Sequence, residues 1–235
     1  MENRREAWNE HESACARVAS HFSERWLRGY VASKLRRDPV YPAAYELLRD
    51  STKPLLDVGC GVGLLSFYLR ERGCAQPMVG VDVDARKIQR ATNIAAAQYA
   101  GINFRNDDAQ KPMADFAGDI ALFDLLHYLP IGPQKSLLEH LASCVARGGL
   151  LLIRDCPREG NARFWATWLA EKIAQLISWN LNAPLHFPSR VTIKTIMTEQ
   201  HFDCESRPLW GNTPFNNYLF IFRRTSNASG AGMTH

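Results

Sequence analysis

Leu55-Leu56-Asp57-Val58-Gly59-Cys60-Gly61-Val62-Gly63 is the stretch on which the fold of this chain turns. It begins as an apolar strand, reaches an acid at Asp57, and then places glycine at every second position. Glycine has no Cβ, so its backbone takes positive φ without strain and lets a ligand approach closely. Leu64-Leu65-Ser66-Phe67-Tyr68-Leu69-Arg70 follows with helical spacing, so the turn opens a helix. A strand, a glycine turn and a helix N-terminus form the nucleotide crevice of α/β folds.

The spacing narrows the nucleotide. The dinucleotide pattern G-x-G-x-x-G/A, counted from Gly59 and Gly61, needs a small third residue where Leu64 stands. No Gly-Lys-Ser/Thr follows, so the turn is not a P-loop. The pattern that fits is D-x-G-x-G-x-G, over Asp57, Gly59, Gly61 and Gly63. In this the chain resembles motif I of the class I S-adenosylmethionine (SAM) dependent methyltransferases. A structural turn that binds nothing is the alternative reading of the same residues. The resemblance covers roughly residues 45–224. It implies an α/β, Rossmann-like three-layer sandwich on a seven-stranded, mostly parallel sheet of order 3-2-1-4-5-7-6.

The rest of the chain has the matching rhythm. Strands are expected over about 54–58, 77–82, 102–105, 119–123 and 150–154, with helices over about 84–99 and 133–146 between them. Such alternation implies a parallel sheet with right-handed crossovers. Beyond it a helix is expected over Asn161–Trp179, then one over Ser189–Gln200 and two late strands near 202–207 and 217–223. The helix after strand five has an apolar set of Trp165, Trp168, Leu169, Ile173, Leu176 and Ile177 and a polar set containing Glu171 and Lys172. Residues 1–50 read as helical, with Ala16, Val18, Ala19, Phe22, Trp26, Leu27 and Tyr30 at three- and four-residue spacing and a break at Asp38-Pro39. The expected organisation is a helical N-terminal lid over 1–50, a core domain over 51–224 with a helical insert at 156–200, and a small, polar, disordered tail at 225–235.

Size and composition agree with one domain: 235 residues, 46% hydrophobic, net charge +4. The longest apolar runs are a few residues, against ~20 for a membrane span, and the N-terminus has no apolar signal-peptide core. Six scattered cysteines without C-x-x-C pairing point to reduced thiols and a cytoplasmic setting. No metal-ligand cluster is expected. The mild charge does not point to nucleic acid. The basic run Lys34-Leu35-Arg36-Arg37 reads as a solvated helix face or as a surface for an acidic partner.

SAM carries an amino-acid tail, a ribose and an adenine, and each calls for its own partner. Asp57 and the backbone of Gly59, Cys60, Gly61 and Gly63 are the candidates for the tail, with small size explaining Cys60. Asp82 lies 19 residues after Gly63, near the usual ~20 for a ribose-binding acid. Val83 adjoins it, and the rival Asp84 suits a helix cap better. The resemblance assigns adenine to Asp108-Ala109. Leu122-Phe123-Asp124-Leu125-Leu126-His127 resembles motif IV, which puts Asp124 beside the cofactor and His127 at the transfer site. It lacks the Asn/Asp-Pro-Pro-Tyr/Phe signature of amino-group nucleic-acid methyltransferases.

Methyl transfer from a sulfonium needs alignment and, for a phenol, a base. His127 is the candidate, since an imidazole titrates near neutrality; a packing histidine is the alternative. Asp155 would orient it, or else cap the strand or pair with Arg154. His186 is a weaker candidate. Aromatic side chains of the two helical additions suit a flat, apolar acceptor. Three passages (33–41, 61–70 and 151–155) are similar to methyltransferases of aryl-polyene and xanthomonadin-type pigment clusters. That implies C- or O-methylation of a hydroxyphenyl head group, carried on an acyl carrier protein.

Overall fold

In the computed structural model, residues 2–111, 116–177 and 184–224 are described, and the expected tail at 225–235 lies outside them. Three helices come first: α1 (Glu2–Ser20), α2 (Arg25–Arg37) and α3 (Val40–Leu48). Then strands and helices alternate: β1 (Leu55–Val58), α4 (Leu64–Glu71), β2 (Met78–Asp82), α5 (Ala85–Gln98), β3 (Ile102–Asn106), β4 (Asp119–Phe123), α6 (Ile131–Cys144) and β5 (Leu150–Asp155). The chain closes with α7 (Ala162–Ile177), α8 (Arg190–Glu199), β6 (Phe202–Pro208) and β7 (Tyr218–Arg224). The strand order is β3-β2-β1-β4-β5-β7-β6, as the sequence led us to expect. β1 to β5 are parallel, and β7 runs antiparallel between β5 and β6.

Period-two alternation divides the strands between two cores. Leu55, Leu150, Leu152, Leu219 and Ile221 face the layer of α1 to α4. Leu56, Leu151, Ile153, Phe220 and Phe222 face α6 and α8. The N-terminal helices therefore share one core with the sheet: Ala14, Val18, Leu27, Val31, Leu35 and Leu48 are buried with Leu55 and Tyr68. His11 Nδ1 lies 2.8 Å from the Tyr68 hydroxyl and links α1 to α4.

The helical spacing of the N-terminus misleads in one respect. The turn at 21–24 separates α1 from α2 and resets the helical phase. Counted across it, Trp26 and Tyr30 join the apolar face, yet they are 71% and 54% exposed. The buried face of α2 is Leu27, Val31 and Leu35. α7 misleads likewise: Phe164 is buried while Trp165 and Leu169 are mostly exposed. Glu171, from its polar set, turns inward. Trp179 lies outside the described residues.

Candidate cofactor and active site

Five parallel strands place their carboxyl ends along one edge. That edge carries Asp57 near the end of β1, Asp82 on β2, Asn106 on β3, Asp124 just past β4 and Asp155 on β5. Strand order reverses between β1 and β4, where an open α/β sheet leaves its ligand crevice. Sequence-distant acids thus meet because the sheet is parallel.

The glycine turn lies at that crevice. Gly59 and Cys60 donate their N–H groups to the Val81 carbonyl at 2.8 and 3.0 Å. Gly61 donates to Asp82 Oδ2 at 2.9 Å, and Gly63 to the Cys60 carbonyl at 2.9 Å. These four amides close the turn on itself and onto β2, so the expectation that they face the cofactor tail is corrected. What the glycines supply is conformation and room. Gly63 has φ +82°, and a Cβ there would lie 2.5 Å from Phe104 Cζ. Gly61 has φ +56° and open space where its Cβ would stand. The first is required by packing, whereas the second leaves a cradle.

Asp57 lies beneath that cradle, 4% exposed, with Oδ2 lacking any hydrogen-bond partner. Burial, reinforced by the charge of Asp82, pushes its pKa up to about 7. A buried acceptor without a partner calls for an explanation, and a bound ammonium provides one. Asp82 accepts from Gly61 N–H on one oxygen and from Asp84 N–H, at 2.9 Å, on the other. Each oxygen keeps a lone pair, enough for a vicinal diol. Val83, 70% exposed, adds apolar surface beside it. Asp84 caps α5, accepting from Arg86 and Lys87 N–H groups. Asp108 is half-buried and accepts from Gln110 N–H at 3.0 Å, with Ala109 buried next to it. Cys60 is buried, and burial with the charges of Asp57 and Asp82 raises its thiol far above the reactive range. Its Sγ sits 2.8 Å from where a Cβ on Gly80 would fall, so it is a close-packed spacer. The residues present therefore fit SAM: an orphaned acid for the ammonium, a doubly accepting acid for the ribose and an open cradle between them.

Across the switch point β4 leads into a turn of 3-10 helix at Leu126–Tyr128. Asp124 has φ +54°, unusual for a residue other than glycine, and its N–H donates to the Arg154 carbonyl at 2.9 Å. Its carboxylate pairs with the Arg154 guanidinium, which also grips both oxygens of Asp38 at 3.0 and 2.9 Å. Arg154 thereby ties the α2–α3 corner to the mouth of β4. The alternative pairing of Asp155 with Arg154 is not made. Asp155 Oδ1 instead lies 2.9 Å from His127 Nδ1, and Oδ2 accepts the His127 backbone N–H at 3.3 Å.

His127 is 2% exposed, and its Nε2 is buried without a hydrogen-bond partner. Phe187 stacks on the ring at 5.3 Å, and Tyr128 lies tilted against it at 4.2 Å. Burial alone would lower its pKa, but the carboxylates of Asp155 and Glu171 outweigh burial and push it up to about 10. The expectation of titration near neutrality is corrected: two acids hold the imidazole charged. His186 contributes its backbone N–H to the His127 carbonyl at 2.7 Å. In the basic run Lys34 pairs with Asp38 at 3.2 Å and Arg36 with Glu12 at 2.8 Å, while Arg36 and Arg37 stay exposed on the helix face.

The sequence reading missed Glu171 and Asp38. Helical phase alone put Glu171 outside, and only the fold of α7 over the site turns it in. Asp38 reads locally as half of a helix-breaking Asp-Pro. Among the described residues no metal-binding cluster forms, and no helix is long and apolar enough to cross a membrane. None of the six cysteines forms a disulfide.

Residues 25–207 match the family described as methyltransferase domain. A ribosomal protein L11 methyltransferase of Burkholderia ambifaria is 32% identical over 118 residues, 49% of this chain and 37% of that protein. A ubiquinone biosynthesis O-methyltransferase of Coxiella burnetii is 32% identical over 127 residues, 53% of each chain. The matched stretch thus spans about half or less of the length of these curated relatives. The fold is similar to that of a magnesium protoporphyrin IX methyltransferase from Synechocystis PCC 6803 solved with bound S-adenosylhomocysteine. The TM-score is 0.63 at 18% identity, over 87% of this chain and 90% of the other. With a family match over more than three quarters of its length, and the strand order and glycine turn described above, this chain belongs to the methyltransferase domain family.

Proposed function

We propose that the chain is a SAM-dependent methyltransferase whose acceptor is a phenol. The observation that carries this reading is the His127–Asp155 pair: a buried imidazole fixed by a carboxylate at 2.9 Å through Nδ1, with Nε2 left without a hydrogen-bond partner. That is the orientation a base requires, with one nitrogen held; because the two acids raise its pKa to about 10, His127 acts as a base only in its neutral form, so turnover rises with pH toward that value. Asp57 binds the tail ammonium, Asp82 with Val83 the ribose edge, Asp108 and Ala109 the adenine, and Gly61 leaves the space between them. Asp124 lines the same mouth.

SAM, when bound, supplies an electrophilic methyl group on a good leaving sulfur. The protein's contribution is alignment and proton removal. A phenol that gives its proton to His127 becomes nucleophilic at oxygen and at the ring carbon ortho to it, so one site serves O- or C-methylation. The aryl-polyene head group is the acceptor we put first, on the strength of the three similar passages. The likeness to the Coxiella ubiquinone biosynthesis O-methyltransferase supports an oxygen acceptor more generally. Lys34 and Arg36 pair within the chain, and Arg37 is exposed beside Arg36. We therefore favour a free phenol over one docked with its carrier protein. The helices α1 to α3 and the insert at 156–200 act as the covers of the site in this proposal.

The likeness to the L11 methyltransferase favours a second reading, a protein acceptor. Turnover of labelled SAM separates the two. Catechol, hydroxyphenyl acids and a hydroxyphenyl acyl carrier are set against ribosomal protein and RNA. Label entering a phenol supports the proposal, and label entering only protein overturns it. Calorimetry with SAM comes first: absent binding, or unchanged binding in Asp82→Ala, removes the cofactor assignment.

A further inference from the structure

Helix α7 contributes an acid that no motif reading selects. Glu171 Oε2 accepts the Tyr128 hydroxyl at 2.7 Å and lies 3.8 Å from His127 Nε2. That separation is too long for a hydrogen bond. A hydroxyl oxygen about 2.8 Å from each group fits over the gap, at ordinary hydrogen-bond lengths. The imidazole has no freedom to close the gap itself, because Asp155 holds its other nitrogen and Phe187 and Tyr128 flank the ring. Nε2 is thus a buried polar atom aimed at an acid it does not reach, and a polar atom so placed needs a partner.

Resting on the phenol-methylation reading, we propose that Glu171 and His127 Nε2 form a two-point clamp on the acceptor's hydroxyl. The clamp makes the site selective for a neutral hydroxyl and hostile to a carboxylate or phosphate at the same place. In the reaction, which starts from the neutral form of the imidazole, the phenolic O–H bond breaks, its proton goes to Nε2, and the electron pair stays on oxygen. The oxygen, or the ortho carbon, forms the new bond to the methyl carbon as the carbon–sulfur bond breaks and leaves its pair on sulfur. In the carbon case the ring proton is then lost to solvent, and the oxygen regains its proton from Nε2. The imidazolium formed lies between Asp155 and Glu171, which both stabilise it. An anionic acceptor placed there brings a third negative charge against the carboxylates of Asp155 and Glu171.

The groups facing His127 from each neighbouring element are accounted for. β5 supplies Asp155, and α7 supplies Glu171. Tyr128 comes from its own turn, and the segment before α8 contributes Phe187 and the His186 N–H. From α2, Lys34 acts on Glu171, where its charge with that of His127 keeps the carboxyl low against the opposing effect of burial. The Arg154 guanidinium is engaged by Asp38 and Asp124.

Glu171→Gln keeps the shape of the side chain and removes its charge, and thermal melting verifies the fold. Imidazole ¹⁵N chemical shifts report the His127 titration without any acceptor. The midpoint is expected to fall by at least one pH unit in Glu171→Gln and to stay near the wild-type value in Glu171→Asp. Calorimetry in the presence of S-adenosylhomocysteine then compares catechol with benzoate. Catechol affinity is expected to fall about tenfold in Glu171→Gln, while benzoate, excluded by wild type, gains. An unchanged His127 midpoint, or benzoate binding to wild type as well as catechol does, overturns the clamp even if phenols are methylated. A shifted midpoint with no phenol methylated by wild type instead overturns the phenol reading and leaves the clamp to another hydroxyl acceptor.

Discussion

Two glycines of one turn, two residues apart, are predicted to fail in different ways when each is given a methyl group. Gly63 has φ +82°, and its added Cβ would stand 2.5 Å from Phe104 Cζ, 2.9 Å from Cε1 and 3.1 Å from Phe67 Cε2. The Phe104 ring packs edge-on to Phe67 at 5.5 Å, so it does not swing aside freely. Left-handed backbone costs a residue with Cβ roughly 1–2 kcal/mol, and overpacking about 1–3 kcal/mol more. Gly63→Ala should therefore lose about 3 kcal/mol, which for a chain of this size lowers Tm by about 6–12 °C. Gly61 has φ +56° but open space around its Cβ position. Gly61→Ala should lose only the backbone component, about 1 kcal/mol or about 2–4 °C. Its methyl group instead projects into the cradle, and SAM affinity should fall about tenfold, equivalent to about 1.4 kcal/mol. Thermal melting and calorimetry on the two variants measure both quantities. If Gly61→Ala melts as low as Gly63→Ala and binds SAM like wild type, the division between a packing glycine and a site glycine is wrong.

Asp57 gives a pH test. Its pKa in the fold, about 7, lies above the 3.8 of an ordinary aspartate, so between those values the native state holds the extra proton. Stability of the ligand-free protein should fall as pH rises from about 4 to about 7, while SAM, bringing an ammonium to the carboxylate, should stabilise more at pH 8 than at pH 5. A SAM-induced rise in Tm that is flat across that range, or one that keeps its slope in Asp57→Asn, sinks the assignment. For the base, His127→Ala and Asp155→Asn should lose about 10²–10⁴-fold in turnover with SAM affinity unchanged within about threefold. Full activity in His127→Ala, measured with labelled SAM and the accepted phenol, removes its catalytic role. Arg154→Met leaves Asp38 and Asp124 facing each other without their shared cation and should cost about 3–5 kcal/mol. Urea unfolding with no loss of stability would show that the bridge from the α2–α3 corner to β4 contributes nothing.

How far the site could be read in the sequence follows from how local each part is. Asp57 to Gly63 is contiguous, and its conformation is set by which residues lack Cβ, so its reading needs nothing distant. Asp82 and Asp84 could be told apart in advance because a capping acid and a strand-end acid occupy different positions relative to the helix start. The ion-pair partners of the basic run at Lys34 to Arg37 were not legible, because a charge pattern does not reveal them. Asp38 is local to Lys34, but Glu12 lies 24 residues from Arg36. Trp26 and Tyr30 failed because a single helical phase was carried across the turn at 21–24.

From its sequence alone this chain determined its elements, the alternation that divides each strand between two cores, and the glycine turn that opens the crevice. These depend on periodicity and on backbone freedom, which residues carry with them. The tertiary structure decided what the crevice holds. Pairing of β4 with β5, with Phe123 opposite Arg154, brings His127 to Asp155 across 28 residues and Asp124 to Arg154 across 30. Folding of α7 over that edge adds Glu171 and holds the imidazole charged. Charge and hydrogen bonding act over a few ångströms of space, and which groups share those ångströms is settled only when the sheet is assembled.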